Sequence, residues 1–143
     1  MTFRIGQMNT KPYQFDAAGI VAFAKLAGDD NPLHHDEVAA RASRFGGLIA
    51  GGTQMSAVLM AFGASMLSRD HEAVGLEFNF RFVKAIAAGT QATLRWTITS
   101  VEPHAKLGGT LVGFEGAITS EGVIAHVLAT GRVVVWDKRV QSL

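Results

Sequence analysis

LIAGGTQMSAVLMAFGASML, residues Leu48 to Leu67, is a run of twenty residues without a single charge. Its length is enough to span a bilayer. Its composition argues against that, because Gly51, Gly52, Thr53, Gln54, Ser56, Gly63 and Ser65 dilute the hydrophobicity that insertion demands. The run therefore reads as a helix, from about Gly52 to Ser68, buried on nearly all sides within a globular domain. A helix with no strongly polar face must be wrapped by other structure.

The wrapping lies C-terminal to it. Beyond Glu72 the period changes: Val74, Leu76, Phe78, Phe80 and Phe82 alternate with Gly75, Glu77, Asn79 and Arg81, which is strand alternation. A second strand sets Ala92, Leu94, Trp96 and Ile98 against Thr93, Arg95 and Thr97. Pro103 to Gly109 reads as a turn region, followed by strands over about Thr110 to Thr119 and Val123 to Trp136. Strands this long predict a sheet that curves around the apolar helix.

The N-terminal side reads as helical. Asp16 can cap a first helix, with Phe15 and Ile20 placed as a hydrophobic staple. Ile20, Phe23, Ala24 and Ala27 recur at helical spacing, and Gly28 can end the helix in a left-handed conformation. A short second helix is predicted over Asp36 to Ala42, and Gly46 and Gly47 break the chain before the long helix. Helices followed by a run of strands form the α+β pattern.

At 143 residues, with no linker, repeat or low-complexity tract, the chain is expected to be one domain over 1–143. Thirteen basic and twelve acidic side chains leave a net charge of +1, and no run of like charge marks a nucleic-acid footprint. Charged residues are 17% of the chain, below the roughly 25% of an average domain. With 48% hydrophobic residues, that balance predicts a subunit interface besides a core. The absence of cysteine excludes disulfides, thiolate metal sites and cysteine nucleophiles. The first residues lack the apolar core of a signal peptide, so the expected location is cytoplasmic, with no membrane partner.

Chemistry concentrates in Gly28-Asp29-Asp30-Asn31-Pro32-Leu33-His34-His35-Asp36. Gly28 ends a helix and Pro32 keeps Asn31 from continuing one, so Asp29 to His34 is a constrained loop. Such a loop can hold a carboxylate and an imidazole over one small volume, and that pair suits proton transfer near neutral pH. An Asp and a His five residues apart are, taken alone, more often a turn cap and a surface imidazole.

The whole segment says more. It resembles the signature of the MaoC-like family, the (R)-specific enoyl-CoA hydratases and related dehydratases: an aromatic residue, a spacer, then Gly-Asp-x-Asn-Pro-aliphatic-His and a following Asp. Phe23, Gly28, Asp29, Asn31, Pro32, Leu33, His34 and Asp36 meet it. The likeness extends to Arg44-Phe45-Gly46, to Ile49-Ala50-Gly51-Gly52 and to the strand from Phe78 to Phe82. It implies a hotdog fold, an antiparallel sheet wrapped around a central helix, with two such units paired as a homodimer. It implies a hydro-lyase that adds water to, or removes it from, a 2-enoyl thioester. Asp29 and His34 would hold the water, Asn31 would shape the loop, and the Gly52 N–H would bind the thioester oxygen. Met60, further along the helix, would floor the acyl pocket. No cofactor or metal is expected, coenzyme A entering only as part of the substrate. Coenzyme A is favoured over acyl carrier protein because no basic docking patch is visible.

The chain departs from the pattern at Gly51, where many relatives carry histidine or proline, and at Met60, where some hydratases carry serine. Two other functions compete. Many hotdog thioesterases place a carboxylate on or at the start of the central helix, and Gly52 to Ser68 has none. A non-catalytic acyl-thioester-binding module is opposed by the intact Asp29 and His34. Of the remaining histidines, His35, His71 and His104 read as surface groups, and His126 as a satisfied side chain within a strand.

Overall fold

The computed structural model describes residues 3–139. A strand β1 (Met8–Phe15) leads into helix α1 (Ala17–Ala27), a 3-10 turn (Pro32–His34), a short helix α2 (Glu37–Ala42) and the long helix α3 (Gly52–Ser68). Four strands follow: β2 (His71–Phe82), β3 (Thr90–Pro103), β4 (Thr110–Ser120) and β5 (Ile124–Asp137). They form one antiparallel sheet in the order β1-β3-β4-β5-β2, and α3 packs against β2, β3 and β4. This is the hotdog arrangement, with α3 as its filling. Among the described residues, no helix is long and apolar enough to cross a membrane.

Local chemistry fixes the helix ends. Asp16 Oδ1 accepts from the Gly19 N–H at 2.6 Å, and Gly28 takes a left-handed φ of 73° at the other end of α1. Phe15 and Ile20 are both buried in the main core. The anchors of α3 are Met55, Leu59 and Leu67, set among Leu94, Trp96 and Ile98 of β3 and the inward residues of β4 and β5. Burying a large aliphatic side chain of this kind contributes about 1.5–3 kcal/mol relative to leaving it exposed. Trp96 locks the helix to the sheet: its indole N–H donates to the Leu59 carbonyl at 2.8 Å. Glycines make room for that ring. A Cβ on Gly63 would lie 3.1 Å from Trp96 Nε1, and one on Gly116 would lie 2.6 Å from the ring.

Three features of the fold differ from the sequence expectation. The first half of the chain is not wholly helical, because Met8–Phe15 is an edge strand paired with β3. It is mostly exposed and carries Lys11 and Pro12, so it shows no hydrophobic period, and proline is tolerated at an edge. The row in β2 is also broken. The register shifts between Gly75 and Glu77, leaving Leu76 as an extra residue that switches faces. Phe78 and Phe80 then pack against the core, whereas Val74 and Leu76 are exposed. Moreover β2 starts at His71, whose ring lies 5.1 Å from that of Phe3, so His71 is a half-buried strand residue and not a solvated one.

Candidate active site

The end of α1 aims Asp29. Gly28 N–H donates to Lys25 O at 3.2 Å and Asp29 N–H to Ala24 O at 2.9 Å, a pairing that closes the helix and turns the chain sharply. Asp29 Oδ1 then accepts from the Asn31 N–H at 3.1 Å, and Asn31 Oδ1 accepts from the Leu33 N–H at 3.1 Å. These two side-chain turns, with Pro32 at the start of the 3-10 turn, hold the loop in one shape. Asn31 thus shapes the loop with its own carbonyl oxygen. Asp36 closes the segment by capping α2 through the Val38 and Ala39 N–H groups.

His34 is 7% exposed, and its orientation is set from the far side. Nδ1 lies 2.8 Å from the carbonyl of Ile49, which can only accept, so Nδ1 carries the proton. In the neutral ring Nε2 is therefore a lone pair, and it faces Asp29 Oδ2 at 3.9 Å. That gap is too long for a direct hydrogen bond. One oxygen atom placed off the line between the two groups reaches both.

Helix α3 begins beside this pair. Ile49 N–H donates to Leu33 O at 3.1 Å, and Ala50 N–H to Ile86 O at 2.9 Å, so Leu48 to Gly51 is held between the loop and the connection after β2. Gly51 precedes the helix and supplies no side-chain cap, which leaves first-turn N–H groups, that of Gly52 among them, for an outside acceptor. A Cβ added to Gly51 would lie 3.3 Å from Asp29 Oδ2, 3.3 Å from His34 Cδ2 and 3.0 Å from Thr53 Oγ1. The Phe82 ring lies across Gly52, 3.3 Å from where a Cβ would stand.

The structure thus brings Asp29, Asn31, His34 and Gly52 into one place. Met60 is elsewhere. It lies two turns along α3, about 12 Å from Gly52 at 1.5 Å per residue. There it lines an apolar cavity of about 270 Å³, together with Gly63, Leu67, Phe78, Trp96 and Phe114. Sequence reasoning gave Thr53 no part in the site, yet its hydroxyl donates to Asp29 Oδ2 at 3.2 Å. The only advance signal was a hydroxyl residue in the first turn of α3. His35 points away, to the carbonyl of Asp30. His126 is buried and satisfied within β5: Nδ1 donates to Ala85 O at 3.1 Å, and Nε2 accepts from the Ser120 hydroxyl at 2.7 Å.

The sequence matches the family model of the MaoC like domain over residues 5–116, and the chain belongs to that family. It is 28% identical over 133 residues to a UPF0336 protein of Streptomyces avermitilis, covering 87% of this chain and 86% of that one. Its fold is similar to the (R)-hydratase from A. caviae involved in PHA biosynthesis, with a TM-score of 0.79 and 22% identity over 93% of this chain and 97% of that one. It is similar also to the MaoC-like dehydratase from Rhodospirillum rubrum, with a TM-score of 0.81 and 24% identity over 96% of each chain.

Proposed function

We propose that this protein is a hydro-lyase of 2-enoyl thioesters, an (R)-specific enoyl-CoA hydratase or 3-hydroxyacyl-thioester dehydratase. The observation that carries the proposal is the 3.9 Å gap between Asp29 Oδ2 and His34 Nε2, opening beside the uncapped start of α3. The thioester oxygen accepts from the Gly52 N–H, where the helix terminus stabilises the negative charge that develops as the double bond is attacked. Water held between Asp29 and His34 adds its oxygen to C3. The pair takes one proton from that water, the π bond breaks, and a proton is delivered to C2 on the same face. Dehydration is the same path reversed. The apolar cavity at Met60 receives the acyl chain, and its lining by uncharged residues suits a hydrocarbon.

Two chains pair through β2. Its edge exposes Val74, Leu76 and Phe82, while the opposite edge of the sheet carries Lys11 and Pro12.

A thioesterase is the second reading, and one contact favours it: Thr53 ties the Asp29 carboxylate to the first turn of α3, so a carboxylate does stand at the start of the central helix. One assay separates the two. The pure protein is incubated with a panel of 2-enoyl-CoA thioesters while enoyl absorbance and free thiol are followed together. Loss of enoyl absorbance without thiol is the expected result. Thiol release would replace the hydro-lyase by the thioesterase.

A further inference from the structure

We infer that Thr53 is a positioning residue for this chemistry, acting through Asp29; the inference rests on the hydro-lyase reading above. Both oxygens of the Asp29 carboxylate are engaged. Oδ1 is held by the Asn31 N–H at 3.1 Å, within the loop itself. Oδ2, the oxygen that faces His34, is held by the Thr53 hydroxyl at 3.2 Å. The second contact differs in kind from the first, since it comes from 24 residues away and from another element. It fixes the carboxylate to the helix terminus whose N–H groups receive the thioester oxygen. The loop as a whole is tied to the segment that opens α3 by the His34 and Leu33 bonds to Ile49, and the Thr53 bond adds the one contact made by the carboxylate itself to α3.

The final torsion of an aspartate side chain is broad, so a carboxylate anchored at one oxygen can swing its other oxygen away. Misplacement by about 1 Å is enough to cost about a hundredfold in rate. Thr53 is suited to prevent this. A threonine side chain has few rotamers, and a hydroxyl has a single proton, here given to the carboxylate. Gly51 is part of the same device. A Cβ there would come to 3.0 Å from Thr53 Oγ1 and 3.3 Å from Asp29 Oδ2, crowding the bond from the side. The absence of a side chain at Gly51 leaves this contact room.

The test uses Thr53→Val, which keeps the shape and removes the donor, and Thr53→Ser, which keeps the donor. Thr53 is exposed, so both variants should fold, and a thermal melt checks this. With a 2-enoyl-CoA that the parent hydrates, Thr53→Val should lose about tenfold or more in kcat, the scale of one hydrogen bond to a charged group, with KM little changed. Thr53→Ser should recover most of the loss. Parental kcat in the valine variant, or a serine variant as impaired as valine, would overturn the inference while leaving the hydro-lyase reading intact. A parent without hydratase activity would overturn that reading instead. A crystal structure of Thr53→Val tests the geometry without any substrate: the Asp29 carboxylate should rotate off His34. An unmoved carboxylate would show that Thr53 positions nothing.

Discussion

His34 Nδ1 donates to the carbonyl of Ile49 at 2.8 Å, while the N–H of Ile49 donates back to Leu33 O at 3.1 Å. This two-way clamp joins the loop after α1 to the segment that opens α3. It fixes the ring's tautomer and its direction together, and leaves Nε2 unprotonated toward Asp29 in the neutral state. A carbonyl partner of this kind is what gives an otherwise symmetric imidazole one working nitrogen.

Replacing either member of the pair should stop turnover without unfolding the chain. Asp29→Asn keeps an acceptor for the Asn31 N–H, so its melting temperature should stay close to the parent's. His34→Ala leaves the Ile49 carbonyl without its partner, and should cost about 1–3 kcal/mol of stability by chemical denaturation. Both should lose roughly two or more orders of magnitude in kcat with a 2-enoyl thioester. A folded variant with near-normal turnover would remove its residue from the chemistry.

How much of this could be read in advance depends on the range of each interaction. The caps at Asp16 and Gly28 and the turns through Asn31 and Pro32 are made by residues within a few positions, so the local sequence reports them. The helix from Gly52 to Ser68 was legible from its missing charges. Three features were not. The edge strand Met8–Phe15 has one exposed face and little burial, and so no period to detect. The extra residue at Leu76 is defined by the register against β5, while the sequence of β2 alone alternates without a break. Thr53 meets Asp29 only after the fold has closed a 24-residue gap.

Gly51→Ala tests the space at the site from another direction. The backbone there, at φ −73° and ψ 149°, is one that alanine adopts without strain, so stability should change little. The new methyl would lie 3.0–3.3 Å from Thr53 Oγ1, Asp29 Oδ2 and His34 Cδ2. Displacing these groups by a few tenths of an ångström should lower kcat by about tenfold, given the sensitivity of such reactions to placement. An alanine variant with unchanged kinetics would show that the space is not used.

Met60→Ala should move the preference toward longer acyl chains. Met60 is 40% exposed and stands at the cavity of about 270 Å³, so its removal widens that space at a modest cost in stability, about 1 kcal/mol or less. The ratio of kcat/KM values for long and short 2-enoyl thioesters should rise. An unchanged chain-length profile in a stable variant would take Met60 out of the acyl site and leave that cavity without a role in binding.

The last expectation is a dimer built on β2, with the dimer as the working unit. A five-stranded sheet has two edges, and they are unequal here. The β1 edge is protected by Lys11 and Pro12, which discourage a further strand. The β2 edge exposes Val74, Leu76 and Phe82, with Val83 just beyond it, all between 44% and 55% exposed. Pairing this edge with its copy about a two-fold axis would satisfy its backbone groups and bury those side chains at once. Phe82 also lies across Gly52, where the thioester oxygen is proposed to bind, so the same pairing would bring the partner subunit close to the site. Light scattering across a dilution series should give about twice the 15.2 kDa chain mass. Leu76→Arg, which places a charge in the centre of the edge, should shift the mass toward one chain and lower turnover with it. A parent protein that is monomeric and fully active would end both the β2 interface and the shared site.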